Sequence, residues 1–294
     1  MGMLVNFALR IRGSLNKLGD YGYVTPVAMG ERIPKIVHQT YFTKNLPEKL
    51  QKNLDKMKAE NPDWVFRLYD DEDIAQFISL HFASLLPVYQ RINTQYGAAK
   101  ADFFRYLIMY KEGGVYLDIK SGLEQPLNSI IRASDRYVLS HWPRFYPKVM
   151  LGQHPGITNP LGELQQWHII AVAGHPFLKS VIENVCNNIK HYNPLIHDFG
   201  SWGVFNLTGP IAYTEAVYPL LARYPHRLEN NHIDVGLIYV ALDSNDSLGG
   251  HHQVFQKKHY SKLDEPITTQ PFYILWVFNL TKPIIKLLKS LKKA

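Results

Sequence analysis

The chain has 294 residues, enough to bury a sizeable core as one large domain or two small ones. Hydrophobic residues make up 46% and charged residues 19%, the proportions of an ordinary globular protein. The net charge is +7, but residues 282–293 hold five lysines and no acid, so the remainder is close to neutral, which argues against a broad nucleic-acid-binding surface.

Cysteine usage and the first residues bear on the compartment. Cys186 is the single cysteine, which excludes an intrachain disulfide and suits a reducing environment. The first twenty residues lack a continuous apolar core before a small-residue cleavage site, so no secretory signal is predicted. The sequence contains no Walker loop, no Rossmann glycine fingerprint and no zinc-type CxxC pair. From the single cysteine and the missing secretory signal we expect a cytoplasmic protein.

The first elements alternate between strand and helix. Residues 1–30 are interpreted as an arm, and a strand is predicted from Ile36 to Tyr41. Pro47 suits the first turn of a helix, which Asn61-Pro62 ends, and Trp64 to Tyr69 form the next strand. Alternation of this kind predicts an α/β domain with a mainly parallel sheet.

Four acidic residues at positions 70–73 follow the second strand. Because an apolar helical pattern begins at Ile74, we interpret them as a helix N-cap. A metal site is the alternative reading of the same cluster.

The most informative segment is residues 102–120. Asp102 and Arg105 are three positions apart, so they share one face of a predicted helix. Gly113-Gly114 suits a left-handed helix C-cap, and the residues after it alternate as in a strand through Lys120. Ligands gather at the carboxyl ends of strands in α/β sheets, so Asp118 lies where chemistry is expected. The alternative interpretation, which fits each residue taken alone, is a surface ion pair between Asp102 and Arg105 followed by a turn at Asp118.

The second half of the chain has fewer signals. A strand is predicted from Tyr137 to Ser140, followed by an aromatic loop, residues 141–155. Its aromatic side chains, Trp142 among them, would either stack against a sugar or fold onto the core. Pro176 begins a helix of 3.6-residue periodicity. Thr208-Gly209-Pro210 begins another, whose N-terminus could hold a phosphate.

The C-terminal tail is apolar and then basic. Residues 272–280 are too short for a membrane span, which needs about 20 residues. Residues 282–293 alternate apolar side chains with lysines, which indicates a helix lying on anionic lipid. The alternative is a helix docked on the domain with its lysines in water. We predict three segments: an arm (1–30), a catalytic domain (31–265) and a membrane-associating tail (266–294).

Three segments resemble the Och1-like sugar transferases, the DXD-motif family of glycosyltransferases (family 32-like), which is related to the clostridial toxin glucosyltransferases. Residues 33–41 resemble the family's opening strand, I-P-K-I-I-H-Q-I-W, and residues 61–70 its second strand. Residues 100–118 resemble the sugar-binding block that carries the DXD motif. The resemblance implies a GT-A fold, a single Rossmann-like domain with helices flanking a mainly parallel sheet.

The same resemblance implies roles for four residues. Asp102 and Arg105 would bind the hydroxyls and phosphate of a donor sugar. Asp118 would be the first acid of the DXD motif and contact ribose or metal. Tyr41 stands where the family often has a tryptophan that stacks on the nucleobase; the alternative is a core aromatic. Members generally retain the anomeric configuration without an agreed protein nucleophile, so the catalytic base is unknown.

Lys120 occupies the second acidic position of the motif and is the main departure from it. Its ammonium would either neutralise the diphosphate itself or leave a divalent cation, Mn²⁺ or Mg²⁺, to Asp118. In the second case His251, His252 and His259 are candidate ligands, although thirteen histidines make a chance cluster easy. From the sequence we favour the metal-assisted site.

The resulting prediction is a hexosyltransferase that acts on a nucleotide-sugar donor and a glycan or glycolipid acceptor. It would build a surface polysaccharide or oligosaccharide as a peripheral protein on the inner face of a membrane. Lys120 motivates one alternative, a non-catalytic relative that binds sugar nucleotides or glycans, and the basic tail motivates another, a membrane adaptor. If the prediction is right, Asp102, Arg105 and Asp118 converge on one cleft, and Tyr41 lines it.

Overall fold

The computed structural model describes residues 15–143, 152–154, 157–242 and 259–291, without the side chains of 285–291. The strands are β1 (Ile36–Thr40), β2 (Val65–Tyr69), β3 (Gly114–Leu117), β4 (Gly122–Leu123), β5 (Tyr137–Ser140), β6 (His168–Ala171), β7 (Arg227–Glu229) and β8 (Leu237–Ile238). Six of them form the central sheet in the order β2-β1-β3-β6-β5-β7, and β4 pairs with β8 in a small second sheet. Within the central sheet β6 runs antiparallel to β3 and β5, and the other neighbours are parallel. The predicted α/β architecture with a mainly parallel sheet is confirmed.

Helices cover both faces of the sheet. They are α1 (Glu48–Glu60), α2 (Asp71–His81), α3 (Leu86–Gln90), α4 (Gly97–Glu112), α5 (Leu127–Ile130), α6 (Pro176–His191), α7 (Pro194–His197), α8 (Gly200–Leu207), α9 (Pro210–Val217), α10 (His232–Val235) and α11 (Phe272–Leu291). Short 3-10 helices span Ala83–Leu85, Tyr218–Leu220 and Tyr260–Lys262.

The side chains of the central strands point alternately into two hydrophobic cores. Val115 and Leu117 of β3 pack in the core that includes Met57 of α1, whereas Tyr116 lies in the larger core with α4, α6 and α9. Because side chains of a strand point alternately to the two faces, a strand buried on both sides must be apolar throughout. All four residues of β3 are buried, which fixes this strand firmly at the centre of the sheet.

Two glycines connect α4 to β3. The helix ends at Gly113 as predicted, with φ +69° and ψ −162°, so its backbone lies outside the left-handed helical region that a typical C-cap adopts. A Cβ on Gly113 would lie 2.5 Å from the backbone nitrogen of Ala173, and one on Gly114 would lie 2.5 Å from the carbonyl oxygen of Ile36. The absence of side chains therefore lets the chain pass between the neighbouring strands.

The predicted strand is too long at its carboxyl end. β3 ends at Leu117, and residues 118–121 form a turn in which Ser121 N donates to Asp118 O at 2.8 Å. Asp118 N donates to the carbonyl oxygen of Trp167 at 2.9 Å, just before β6. Ile119 and Lys120 are therefore turn residues, and their predicted strand alternation is wrong.

The acidic run at positions 70–73 caps α2. Asp70 Oδ1 accepts hydrogen bonds from Glu72 N and Asp73 N at 3.1 and 2.9 Å, and Asp73 Oδ2 accepts from Asp70 N at 3.2 Å. This reciprocal capping box confirms the predicted cap. Lys44 Nζ lies 2.9 Å from Asp73 Oδ2, so part of the cluster's charge is also balanced.

The segment before β1 packs onto α6. The buried carboxylate of Glu183 accepts hydrogen bonds from the backbone nitrogens of Tyr21, Tyr23 and Val24, at 3.0 to 3.2 Å. Residues 15–30 are thereby anchored to the domain. The predicted boundaries of arm, domain and tail stay predictions.

Candidate functional site

Arg105 lies at the centre of a buried ionic network beside the carboxyl end of β3. Its Nη2 is 3.1 Å from Asp102 Oδ1 and 3.1 Å from Asp118 Oδ1. Its Nη1 donates to the carbonyl oxygen of Gln166 at 2.7 Å, and its guanidinium lies over the ring of Tyr116 at 4.7 Å. The side chains of Asp102 and Arg105 are 5% exposed, whereas that of Asp118 is 25% exposed. Asp118 is thus the member of the network that reaches solvent.

The local sequence explains this convergence. Asp102 and Arg105 are one helical turn apart on α4, and Asp118 follows β3 directly. Because the glycine pair reverses the chain between the helix and the strand, the end of β3 lies back beside the turn that carries Arg105. The structure therefore brings Asp102, Arg105 and Asp118 together.

Asp102 is satisfied by protein groups on both carboxylate oxygens. Oδ1 accepts from Gln166 Nε2 at 3.2 Å in addition to its ion pair, and Oδ2 accepts from Thr208 Oγ1 at 3.0 Å. Burial raises the pKa of Asp102 to about 6, although Arg105 and these donors favour the anion. In this arrangement Asp102 positions Arg105, and its predicted contact with donor hydroxyls stays a prediction.

Lys120 is turned toward Tyr239 in the β8 region. Its Nζ donates to Tyr239 Oη at 2.9 Å and lies 4.1 Å from the ring centroid, and the residue is 9% exposed. Burial above all, and the charge of Arg105, lower the pKa of Lys120 to about 8 against the opposite effect of Asp118. The turn therefore carries a titratable cation two residues from an anion.

Residues 47–137 match the protein family described as "Glycosyltransferase sugar-binding region containing DXD motif". This range contains the whole of the α4–β3 unit with Asp102, Arg105, Asp118 and Lys120. The predicted resemblance to the DXD-motif glycosyltransferases is confirmed over this segment.

Relatives of this glycosyltransferase segment include two proteins of Schizosaccharomyces pombe. Inositol phosphoceramide mannosyltransferase 1 is 28% identical over 158 residues, which cover 53% of this chain and 43% of the relative. Inositol phosphoceramide mannosyltransferase 3 is 26% identical over 291 residues, 94% of this chain and 74% of the relative. A solved structure, "PaToxG Glycosyltransferase", aligns with a TM-score of 0.47 and 19% identity over 74% of this chain and 77% of that one. The chain spans less than half of the first relative, so the relatives' activities are not assigned to it by similarity alone.

The residues described around the DXD variant do not make up a divalent-cation site. Asp118 Oδ1 faces Arg105, and Lys120 stands where a second acid would help to bind the ion. Across the described ranges, no group of three or more His, Cys, Asp or Glu side chains could hold a metal. His259 lies 2.7 Å from Ser261 Oγ through its Nδ1, and His251 and His252 fall outside the described residues. The predicted metal site stays a prediction.

Tyr41 is 6% exposed at the end of β1. Its ring centroid is 4.5 Å from that of Phe42, and it shares a hydrophobic cluster with Leu50 and Ile119. Ile119 follows Asp118 directly, so Tyr41 lies near the turn, and its predicted place in the lining of the cleft stays a prediction. Its packing is that of a strand-end aromatic in the core, and nucleobase stacking stays a prediction.

Three further site residues escape sequence reasoning: Gln166, Tyr239 and Tyr260. Burial raises the pKa of the Tyr260 hydroxyl. The charges of Asp102 and Asp118 raise it as well, because Tyr260 lies close enough to the network to be affected by them. Thr208 stands at a helix start where the sequence predicts a place for a phosphate, and in the structure its hydroxyl donates to Asp102 Oδ2. Nothing in the local sequence indicates this contact.

The lowered pKa of Lys120 predicts a pH-dependent stability. Because folding moves this pKa from 10.5 to about 8, the native state disfavours the ammonium. The wild-type protein should therefore gain free energy of unfolding relative to Lys120→Met as pH rises through that window, by on the order of 3 kcal/mol. Urea unfolding of both proteins across these pH values measures the difference, with the exposed Lys111→Met as the control for a lost surface charge. Parallel curves for wild type and Lys120→Met would contradict the prediction.

Proposed function

We propose that the protein transfers a hexose from a nucleotide-sugar donor to a glycan or glycolipid acceptor, with retention of the anomeric configuration. The observation that carries this proposal is the partly exposed Asp118 held by the buried Arg105, within the sugar-binding segment of a glycosyltransferase family. A carboxylate fixed in this way can accept hydrogen bonds from the ribose of a nucleotide without having to be ordered first.

The charges at the site suit the departure of a diphosphate. Two carboxylates, Asp102 and Asp118, are balanced by Arg105 and Lys120, so the network is close to neutral before a donor binds. As the bond to the sugar breaks, negative charge grows on the diphosphate. Preorganised cations nearby stabilise that charge in the transition state more than in the ground state. Arg105 and Lys120 can supply this stabilisation from the α4–β3 unit.

The names of the relatives guide the choice of substrates. Both Schizosaccharomyces pombe proteins are named as inositol phosphoceramide mannosyltransferases. We propose mannose as the first hexose to test and an inositol-containing glycolipid as the first acceptor. The alternative of a non-catalytic binding protein rests on Lys120, and it predicts that the donor binds but is not consumed.

The first functional prediction concerns Asp118. Asp118→Asn keeps the size of the side chain and an oxygen that can accept from Arg105, but it removes the charge. We expect turnover of the preferred nucleotide sugar to fall by about 10²–10³-fold. Donor consumption is measured with a panel of UDP- and GDP-sugars, and near-UV circular dichroism checks the fold. Asp55→Asn, on the exposed side of α1, is the matched control. Full activity of Asp118→Asn would make Asp118 a simple turn residue.

The second functional prediction separates Lys120 from a metal ion. The described side chains favour Lys120 as the cation, which reverses the preference drawn from the sequence. We therefore expect turnover to survive EDTA and Lys120→Ala to abolish it, with Lys111→Ala as the control. Donor affinity should weaken as pH rises through about 8, because the ammonium then loses its proton. Loss of turnover in EDTA and rescue by Mn²⁺ would restore the metal hypothesis, and His251, His252 and His259 would then be replaced in turn.

The helix α11 supports the proposed attachment to a membrane surface, because one of its sides is docked on the domain and the other is exposed. None of the helices in the described part of the chain has the length and apolar run that crossing a bilayer needs. Phe278 is fully buried and packs against Phe199 at 5.4 Å, so one side of α11 is docked on the domain. Lys282 is paired with Asp264 and Glu265 at 3.4 and 2.8 Å, so it is not a lysine in open water.

The other side of α11 is exposed and apolar. Its large side chains are 58–81% exposed at spacings of one to four residues: Phe272, Tyr273, Trp276, Leu280 and Ile284. Together with the four lysines of residues 286–293, a segment whose sequence contains no acid, this face suits insertion into the interfacial layer of an anionic membrane. Attachment at the cytoplasmic face remains part of the proposal.

Replacement of the exposed apolar side chains tests this attachment. The double variant Trp276→Ser, Leu280→Ser should weaken binding to vesicles that contain phosphatidylserine by about tenfold or more, because it removes two buried contacts with lipid. Vesicle co-sedimentation measures the change, and vesicles of phosphatidylcholine alone should bind the wild type less. Leu161→Ser, at another exposed leucine, is the control. Equal sedimentation of wild type and double variant would refute the attachment.

A further inference from the structure

Glu163 is a buried carboxylate outside the donor network. Its side chain is 6% exposed, its Oε1 accepts a hydrogen bond from Trp142 Nε1, and His154 Nε2 lies 2.8 Å from its Oε2. His154 takes up one side of Oε2, although the geometry of this contact is not that of a hydrogen bond. A carboxylate oxygen has two lone pairs. Glu163 Oε2 therefore retains one acceptor position beside its contact with His154.

Partly exposed aromatic rings extend from the two neighbours of this carboxylate, Trp142 and His154. We call Trp142, Trp202, Phe205, Tyr239 and Tyr260 the aromatic wall. The Trp142 and Tyr239 centroids are 4.9 Å apart, and the His154 ring lies 5.6 Å from that of Trp202 and 5.3 Å from that of Phe205. The ring centroids of Phe205 and Tyr260 are 6.4 Å apart, so the ring contacts extend from α8 to the 3-10 helix that begins at Tyr260. Apolar faces around a few convergent polar groups are typical of a ligand site.

The aromatic wall adjoins the donor network. Tyr239 accepts the hydrogen bond from Lys120, and Tyr260 lies within the electrostatic influence of Asp102, Asp118 and Glu163. Along the chain, Glu163 is three residues before Gln166, whose carbonyl oxygen accepts from Arg105. The carboxylate and the donor-binding residues therefore border one region at the same edge of the sheet.

We propose that Glu163 and the aromatic wall form the acceptor subsite, where a hydroxylated six-membered ring packs on the aromatic faces and donates a hydrogen bond to Glu163 Oε2. The ring is a sugar or a cyclitol. An anionic carboxylate attracts hydroxyl donors and repels phosphate, so this side of the region selects the acceptor rather than the diphosphate of the donor. The inference rests on the proposed function and specifies its second substrate.

Glu163→Gln tests the subsite with little change in shape. The amide oxygen still accepts from Trp142, so the loop contact is kept while the charge is lost. Tryptophan fluorescence is titrated with methyl α-mannoside and with inositol phosphoceramide in detergent micelles. We expect at least one of these to bind the wild type, and its affinity to fall by about tenfold in Glu163→Gln. Glu215→Gln is the matched control, because Glu215 accepts from Thr158 N and Oγ1 at 3.0 and 3.3 Å and so holds the same loop.

Steady-state kinetics provide an independent readout. With an active donor, Glu163→Gln should raise the acceptor KM by about tenfold and leave the donor KM within about twofold. A purely structural role would instead move both KM values and the melting temperature together. If Glu163→Gln does not fold, Trp202→Leu, which shortens a partly exposed part of the wall, should raise the acceptor KM in the same way.

Two results would overturn the subsite. One is that neither ring compound binds the wild type, and the other is that acceptor affinity is equal in wild type, Glu163→Gln and Trp202→Leu. Failure of the proposed function is a different result: the acceptor ring binds in a manner that depends on Glu163, but no nucleotide sugar in the panel is consumed.

Discussion

The ion pairs of Arg105 with Asp102 and Asp118 join the helix and the strand on which the site is built. Three charged groups in a largely buried position are stable only if each is compensated, and Gln166, Thr208 and Tyr116 complete that compensation. Loss of either carboxylate would leave a buried guanidinium with too few acceptors, a change that costs about 3–5 kcal/mol in comparable buried pairs. The position of Asp118 in space is therefore a consequence of how Arg105 is satisfied.

The same network sets the electrostatics of the DXD variant. Arg105 already faces the carboxylate that a metal ion would need, and Lys120 brings a second positive charge to the turn. The aromatic ring and hydroxyl of Tyr239 hold this ammonium in a nearly buried place, where its charge is less screened than at the surface. In the sequence, Lys120 indicates the loss of a metal ligand. In the structure, the same residue adds a positive charge near Asp118.

Sequence reasoning found the parts of the site that are local in the chain. Asp102, Arg105 and Asp118 lie within one helix–turn–strand unit, where periodicity and a glycine pair are enough to predict proximity. Their partners are distant: Gln166 lies 61 positions from Arg105, Thr208 lies 106 from Asp102, and Tyr239 lies 119 from Lys120. Such contacts depend on strand order and on where loops cross the sheet, which no local pattern encodes. The prediction of β3 is too long for a similar reason. Apolar and polar residues keep alternating through residues 118–120, whereas the turn there is defined by hydrogen bonds, one of them to the distant Trp167.

The reversed direction of β6 has a consequence for how recognition is divided along the chain. Because β6 runs against β3, its first residue, His168, is paired with Leu117, and the segment that enters β6 arrives at the edge where β3 leaves. One edge of the sheet is thus built by two independent stretches of sequence, residues 100–120 and the described residues 157–166 that lead into β6. Changes of length or composition in the second stretch can alter the side chains at this edge without disturbing the buried charges of the first. A single strand reversal in this way gives the site two halves that can vary separately in sequence.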